Sequence, residues 1–195
     1  MPFSHLLLVG CLGLVAIARA DTPSPPQLRV VASPDGSALV RITPGRWGDA
    51  NPLPASATVL SFDHATGDYR KVATFALRNP VAPHTAVITN QGRFIVTFDD
   101  WAGVGRTPNV VVVYRGTGEV VRAWSLADIL SEAERKRLIS STSSTWWRGE
   151  VSLLESRAQP ATVIIQPYSP LLPIGGYKKG PTLLFDVEKL TFLPQ

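Results

Sequence analysis

Three short constellations carry side chains able to do chemistry. Asp99-Asp100-Trp101 sets two carboxylates and an indole at the end of an apolar run. Neighbouring residues of a strand point to opposite faces, so the two acids can pair as a glycosidase would need only if the chain bends there. With Trp101 they would otherwise form a carboxylate and aromatic platform for a sugar or a cation. The competing reading is a turn acid that satisfies loop N–H groups while Trp101 covers a sheet edge. Trp146-Trp147-Arg148 has the composition of a stacking surface or an interface hot spot. In a strand its two rings must diverge, so one Trp in the core and one on the edge is the plainer expectation. Trp47, in Arg46-Trp47-Gly48-Asp49, sits in an earlier loop rich in Gly and Pro, and Asp49 adds one more loop acid.

Other chemistries lack their residues. Beyond residue 20 the histidines are His64 and His84, and no Cys remains, so no metal-ligand spacing exists and none is expected. There is no Gly-x-Ser-x-Gly elbow, no phosphate-binding Gly loop before a helix, no acidic calcium-loop spacing and no Asn-x-Ser/Thr acceptor. No cofactor is expected. A net charge of +4 without a sustained basic stripe argues against a nucleic-acid partner.

These residues need a scaffold, and composition restricts it. The 195 residues are 45% apolar and 17% charged, which excludes a disordered chain, and a single Cys excludes a disulfide scaffold. With 17 Pro and 15 Gly, a long helical bundle is disfavoured. Residues 1–20 read as a secretory signal: an apolar run ends in Ala18-Arg19-Ala20, the small-x-small pattern of a cleavage site. The run is too short to span a bilayer, which takes about 20 apolar residues. Cleavage after Ala20 would leave 175 residues and a charge of +3, since Arg19 leaves with the leader. A lesser reading makes Leu8-Val9-Gly10-Cys11 a lipoprotein box acylated at Cys11. Residues 21–27 form a Pro-rich extended lead-in.

From residue 28 the chain reads as short strands broken by turn residues. Ser33-Pro34-Asp35-Gly36 and Asn90-Gln91-Gly92 punctuate early in two successive units, and Gly67 and Gly118 punctuate late in them. Val110 to Val113 are four consecutive valines, the mark of a strand covered on both faces. Units over residues 28–77, 84–126 and 147–193 each hold four strands, the layout of a propeller blade. The expected fold is all-β: three four-stranded antiparallel propeller-like blades in one domain over 28–195, with one short helix near 126–138. A β-sandwich is the alternative. The third unit departs from the others in lacking a Gly at its first turn.

Leu77-Arg-Asn-Pro-Val-Ala-Pro83, Gly92-Arg-Phe-Ile-Val-Thr-Phe-Asp-Asp-Trp101, Val112-Val-Tyr114 and Ser125-Leu-Ala-Asp-Ile-Leu130 together resemble a group of uncharacterised exported bacterial proteins with propeller-type repeats. The resemblance covers roughly residues 57–148. It implies export and a β-repeat fold and carries no assigned activity. The functional expectation is a secreted or periplasmic, non-catalytic module that binds a protein or glycan partner through Trp47, Asp99, Asp100, Trp101, Trp146, Trp147 and Arg148. Association into a homo-oligomer is one way for three blades to complete a ring. The alternative is a secreted hydrolase using loop carboxylates.

Overall fold

The computed structural model describes residues 25–46, 52–101, 103–169 and 180–193. Cys11, Ala18 and Ala20, in the run expected to be a leader, and Trp47 and Asp49 lie outside the described residues. The fold is all-β and antiparallel. Sheet I contains β1 (Arg29–Ala32), β2 (Ala38–Thr43), β3 (Ser56–Asp63) and β4 (Asp68–Ala76) in that order. Sheet II repeats the meander with β5 (Thr85–Ile88), β6 (Phe94–Phe98), β7 (Val111–Arg115) and β8 (Val120–Trp124). A two-stranded ribbon of β9 (Ile139–Ser140) and β10 (Thr145–Trp146) precedes sheet III. Sheet III is β11 (Arg148–Ser156), β12 (Gln159–Pro167), β13 (Leu183–Asp186) and β14 (Thr191–Leu193). Among the described residues no helix is long and apolar enough to cross a membrane.

Sheet II is the middle layer. The pleat sends alternate side chains of β7 to opposite faces. Val112 and Tyr114 join Ile88 and Ile95 against Ala38, Val40, Ala57 and Val59 of sheet I. Val111 and Val113 join Val96, Phe98 and Trp124 against Val163, Ile165 and Phe185 of sheet III. All four valines from Val110 to Val113 are fully buried, and each such side chain contributes about 1.5–3 kcal/mol. Trp124 meets Phe185 edge-on at 5.3 Å and knits the second layer to the third. The first strands β1 and β11 both lie beside β5.

Turn chemistry explains why each sheet is a meander. Gly36 and Gly92, in the first turns of sheets I and II, take φ of 72° and 68°; Gly67 and Gly118, in the last turns, take 74° and 100°. In sheet III the last turn puts Leu190 at φ 56°, held by backbone N–H groups of Glu188 and Lys189 that donate to Asp186 Oδ1 at 3.0 and 2.9 Å. Only the sequence position of this turn is legible beforehand, because its left-handed residue is not Gly.

The helical segment differs from the expected single helix near 126–138. It is two one-turn helices, α1 (Leu126–Ile129) and α2 (Glu132–Arg135), with Leu130 extended between them at φ −120° and ψ 137°. Two capping boxes compete. Asp128 Oδ2 accepts from Ser125 N at 2.8 Å, and Glu134 Oε2 accepts from Ser131 N at 2.7 Å. Ser131 must be extended to cap the second turn, and that ends the first. Past the helical segment the chain forms the β9–β10 ribbon, pairing Ile139 with Trp146 and Ser140 with Thr145.

Gly67 and Gly118 separate two costs. A Cβ on Gly67 meets open space, so Gly67→Ala should lose only the left-handed strain, about 1–2 kcal/mol. A Cβ on Gly118 would lie 2.6 Å from the Phe75 ring, so Gly118→Ala should cost about 3 kcal/mol or more. Urea denaturation of the two variants measures the difference.

Candidate functional site

The two constellations meet in space at Asp99, whose carboxylate is reached from Trp147 and Arg148, 48 and 49 positions along the chain. β6 ends at Phe98, and Asp99 turns the chain out of the sheet at φ 54°, a conformation that Asp tolerates better than bulky residues. Its backbone N–H donates to Val110 O at 2.8 Å. Its carbonyl accepts from the amide of Asn79. Its carboxylate is fully buried and takes three donors: Gly105 N at 2.7 Å and the Trp147 indole Nε1 at 2.9 Å on Oδ1, and Arg148 Nε at 2.7 Å on Oδ2.

The elements that deliver these donors are local. The loop after Asp99 returns at Gly105, whose φ of 70° and lack of a Cβ allow it to pass close to Thr145; a Cβ there would lie 2.4 Å from Thr145 O. Thr145 N donates to Val104 O at 2.8 Å, which seats β10 against the loop. β10 then leads directly into Trp147 and β11. Asn79 is fully buried with both amide ends used: Thr97 Oγ1 donates to its Oδ1 at 2.8 Å. Sequence reading did not single out Asn79; its position before Pro80 in the inter-sheet connector was the available signal.

Arg148 is the cation of this buried pair, with its side chain 5% exposed against 0% for Asp99. Its Nη1 donates to Gly149 O at 3.1 Å, and its guanidinium lies 5.5 Å from the Phe98 ring centre. Burial lowers the Arg148 pKa and the Asp99 charge opposes that shift. His84 is exposed but feels the same cluster. Desolvation lowers its pKa first and Arg148 lowers it further, while Asp99 acts the other way.

Four of the residues expected to contact a partner do not lie on an open surface. Asp99, Asp100, Trp147 and Arg148 are all buried. Asp100 is 2% exposed and its Oδ2 accepts from Val81 N at 3.3 Å. The physical reason is that both faces of β6 are covered, so loop acids at its end are needed to satisfy N–H groups that water cannot reach. Trp101 and Trp146 remain half-buried. Trp101 N donates to Ala82 O at 2.8 Å, while Gly45 N and Ala55 N donate to Val81 O and Pro80 O at 2.7 and 3.0 Å. The bases of the first and second long loops thus rest on one connector, Pro80 to Ala82.

Trp146 stacks on Tyr168 with ring centres 5.9 Å apart and planes at 24°. Beside this pair the α1–α2 segment and sheet III enclose a depression of about 160 Å³. Leu130, Leu138, Trp147, Pro167, Tyr168 and Leu183 form its apolar walls, and Glu134 and Arg137 add a charge of each sign. Asp99 therefore fixes the indole that forms one wall. The chain matches no family model, no curated protein and no solved structure. Among the described residues no cluster of three or more His, Cys, Asp or Glu could hold a metal ion.

What this arrangement can do is hold an apolar group against aromatic walls. It offers little to hydrolysis, since both Asp99 oxygens are occupied by donors and the carboxylate has no access to water.

Two outcomes check the cluster. Arg148→Met leaves the Asp99 charge buried without its cation, which should cost about 3–5 kcal/mol in urea denaturation, and adding Asp99→Asn should recover part of that loss. The His84 effect has a definite sign. Its folded pKa lies below its ordinary 6.5, so as pH falls the unfolded chain takes up the proton first. The contribution present above pH 6.5 is lost as pH falls toward the folded pKa, and His84→Gln should flatten that part of the stability profile.

Proposed function

We propose that this chain is an exported, non-catalytic β-repeat module that holds a protein partner at the Trp146–Tyr168 edge. The observation that carries the reading is the Trp147 wall, whose orientation is set by a buried carboxylate and not by solvent. A depression of about 160 Å³ is close to the roughly 150 Å³ cavity known to hold a benzene-sized group. It suits one inserted apolar side chain, with the Trp146 and Tyr168 rings as the neighbouring contact surface and Glu134 and Arg137 to select the flanking charge. Aromatic and Arg residues around a desolvated pocket are the composition of an interface hot spot. A glycan would gain less here, because seven of the ten residues around the depression are apolar or aromatic.

In the same reading the three sheets are blades of an open, propeller-like stack. The support is the repeated meander order, the neighbouring first strands and the left-handed residue at corresponding turns. Export rests on the apolar leader and its Ala-x-Ala end, and on the resemblance to exported repeat proteins.

N-acetyl-tryptophanamide is a suitable probe. Titration followed by nuclear magnetic resonance should give saturable shifts at Leu130, Leu138, Tyr168 and Leu183. Leu138→Trp, which fills the depression, should abolish them, and Trp146→Ala should weaken binding about three- to tenfold. Absence of saturable shifts, or shifts indifferent to Leu138→Trp, would refute the reading.

A further inference from the structure

The other end of the stack carries a second concavity, built from turns that sequence reading treats only as punctuation. β11 is nine residues long, so its two ends stand about 26 Å apart, and this groove lies at the Ser156 end, away from Trp147. Its volume is about 600 Å³, inside the usual range of small-ligand sites. All three sheets contribute to it. Asp35 and Ser37 come from the first turn of sheet I, Asn90 and Gln91 from the first turn of sheet II, and Glu155 and Arg157 from the end of β11 and the turn after it.

The walls are fixed to one another. Asp35 N donates to Asn90 Oδ1 at 3.1 Å and Gln91 N donates to Ser37 Oγ at 2.7 Å, tying sheet I to sheet II. Glu155, its side chain 5% exposed, accepts from Asn90 N at 2.6 Å and pairs with Arg93 at 3.0 Å, tying sheet II to sheet III. Arg93 also pairs with Glu188 at 2.8 Å. Gln91 is held at φ 58° by this arrangement. A groove whose walls are cross-linked in three places is preorganised, and preorganisation lowers the entropy lost on binding.

The groups left over define the ligand. The Arg93 charge is matched by Glu155 and Glu188, so the groove does not present a cationic well for an anion. The Arg157 guanidinium makes no hydrogen bond or ion pair among the described residues. Asp35 is exposed, and its Oδ1 accepts from the Ser33 and Ser37 hydroxyls and from Ser37 N. Slight burial raises its pKa, but those hydrogen bonds more than reverse this and keep it a carboxylate. Ser61 adds a hydroxyl and Asn90 its Nδ2 donor, its Oδ1 being taken by Asp35 N, and Phe62, edge-on to His64 at 5.0 Å, adds an aromatic wall. Planar donors and acceptors of both kinds around an aromatic edge, with near-neutral charge, match a ligand with many hydroxyls and an apolar ring face.

We propose that this groove is a saccharide-binding site that takes a neutral glycan segment. Glu155 is committed to Asn90 and Arg93, so it serves as a wall of the groove. The inference is independent of the reading made for the Trp146–Tyr168 edge.

The test is a titration of the ¹⁵N-labelled full chain with chitohexaose, with maltohexaose and with oligogalacturonate. Saturable shifts at Asn90, Gln91, Ser156 and Arg157 are expected with at least one neutral oligosaccharide. Arg157→Ala and His64→Ala, both at exposed positions, should leave the rest of the spectrum in place and weaken binding about tenfold for Arg157→Ala. Response to oligogalacturonate alone, shifts confined to Trp146 and Tyr168, no saturable response, or wild-type affinity in Arg157→Ala would each overturn the proposal.

Discussion

Because the middle sheet is covered on both faces, the chain leaving its strands has to satisfy its polar groups with protein, and Asp99 is where that requirement concentrates. Directly after Phe98 the backbone turns left-handed, its N–H and C=O find Val110 and Asn79, and its carboxylate gathers Gly105, Trp147 and Arg148. Placing a carboxylate and a guanidinium in the interior carries a desolvation cost that their attraction alone does not reliably offset. Here two further donors satisfy the carboxylate, while Arg148 Nη2 is buried without a hydrogen-bond partner among the described residues, so the cost falls on the cation. The return is positional: sheet III can dock in only one register if Arg148 is to reach Asp99.

The far end of the same interface uses the reciprocal device. Asp99 is an acid of the middle layer that reaches a cation of the third; Glu155 is an acid of the third layer that reaches Asn90 N and Arg93 of the second. Between them lie apolar contacts, from Val96 and Phe98 to Val163 and Phe185. Apolar contacts are non-directional and permit sliding, whereas two carboxylates near opposite ends of β11 permit none. Both concavities are by-products of these anchors. One is walled by the indole that Asp99 orients, and the other by the turns that Glu155 gathers.

The period-two apolar pattern and the turn glycines made the strands readable, because both are local. Val110 to Val113 could be assigned to a doubly covered strand from composition alone, and Asp99 could be read as a turn acid. The partnership of Asp99 with Arg148 could not, since it depends on how one sheet docks on another across 49 residues. The helix boundary failed for a local reason: Ser131 and Glu134 form a second capping box inside an apolar helical spacing, and the cap prevailed. The polar groove was illegible for the opposite reason. Asp35, Asn90 and Glu155 each look like ordinary turn or edge residues, and only their convergence makes a wall.

The outer faces of the stack bear on ring closure by further copies. On sheet I the register aligns Val30, Arg41, Thr58 and Thr74 across the outer face. The Thr58 and Thr74 hydroxyls already bond to each other at 3.2 Å, and Arg41 is exposed. Covering this row would bury a guanidinium with no acid beside it in the row, a cost that apolar contact from Val30 cannot balance. Sheet III presents Ser152, Ile164, Leu184 and Leu193 in one aligned row, with Leu154 half exposed nearby. The two end faces are chemically unlike, one suited to water and the other mixed. A ring that repeats the internal packing needs apolar faces on both sides of every joint, and sheet I does not supply one. Sheet I's row thus sets an exposed guanidinium beside the exposed Val30, while the row on sheet III is mostly aliphatic.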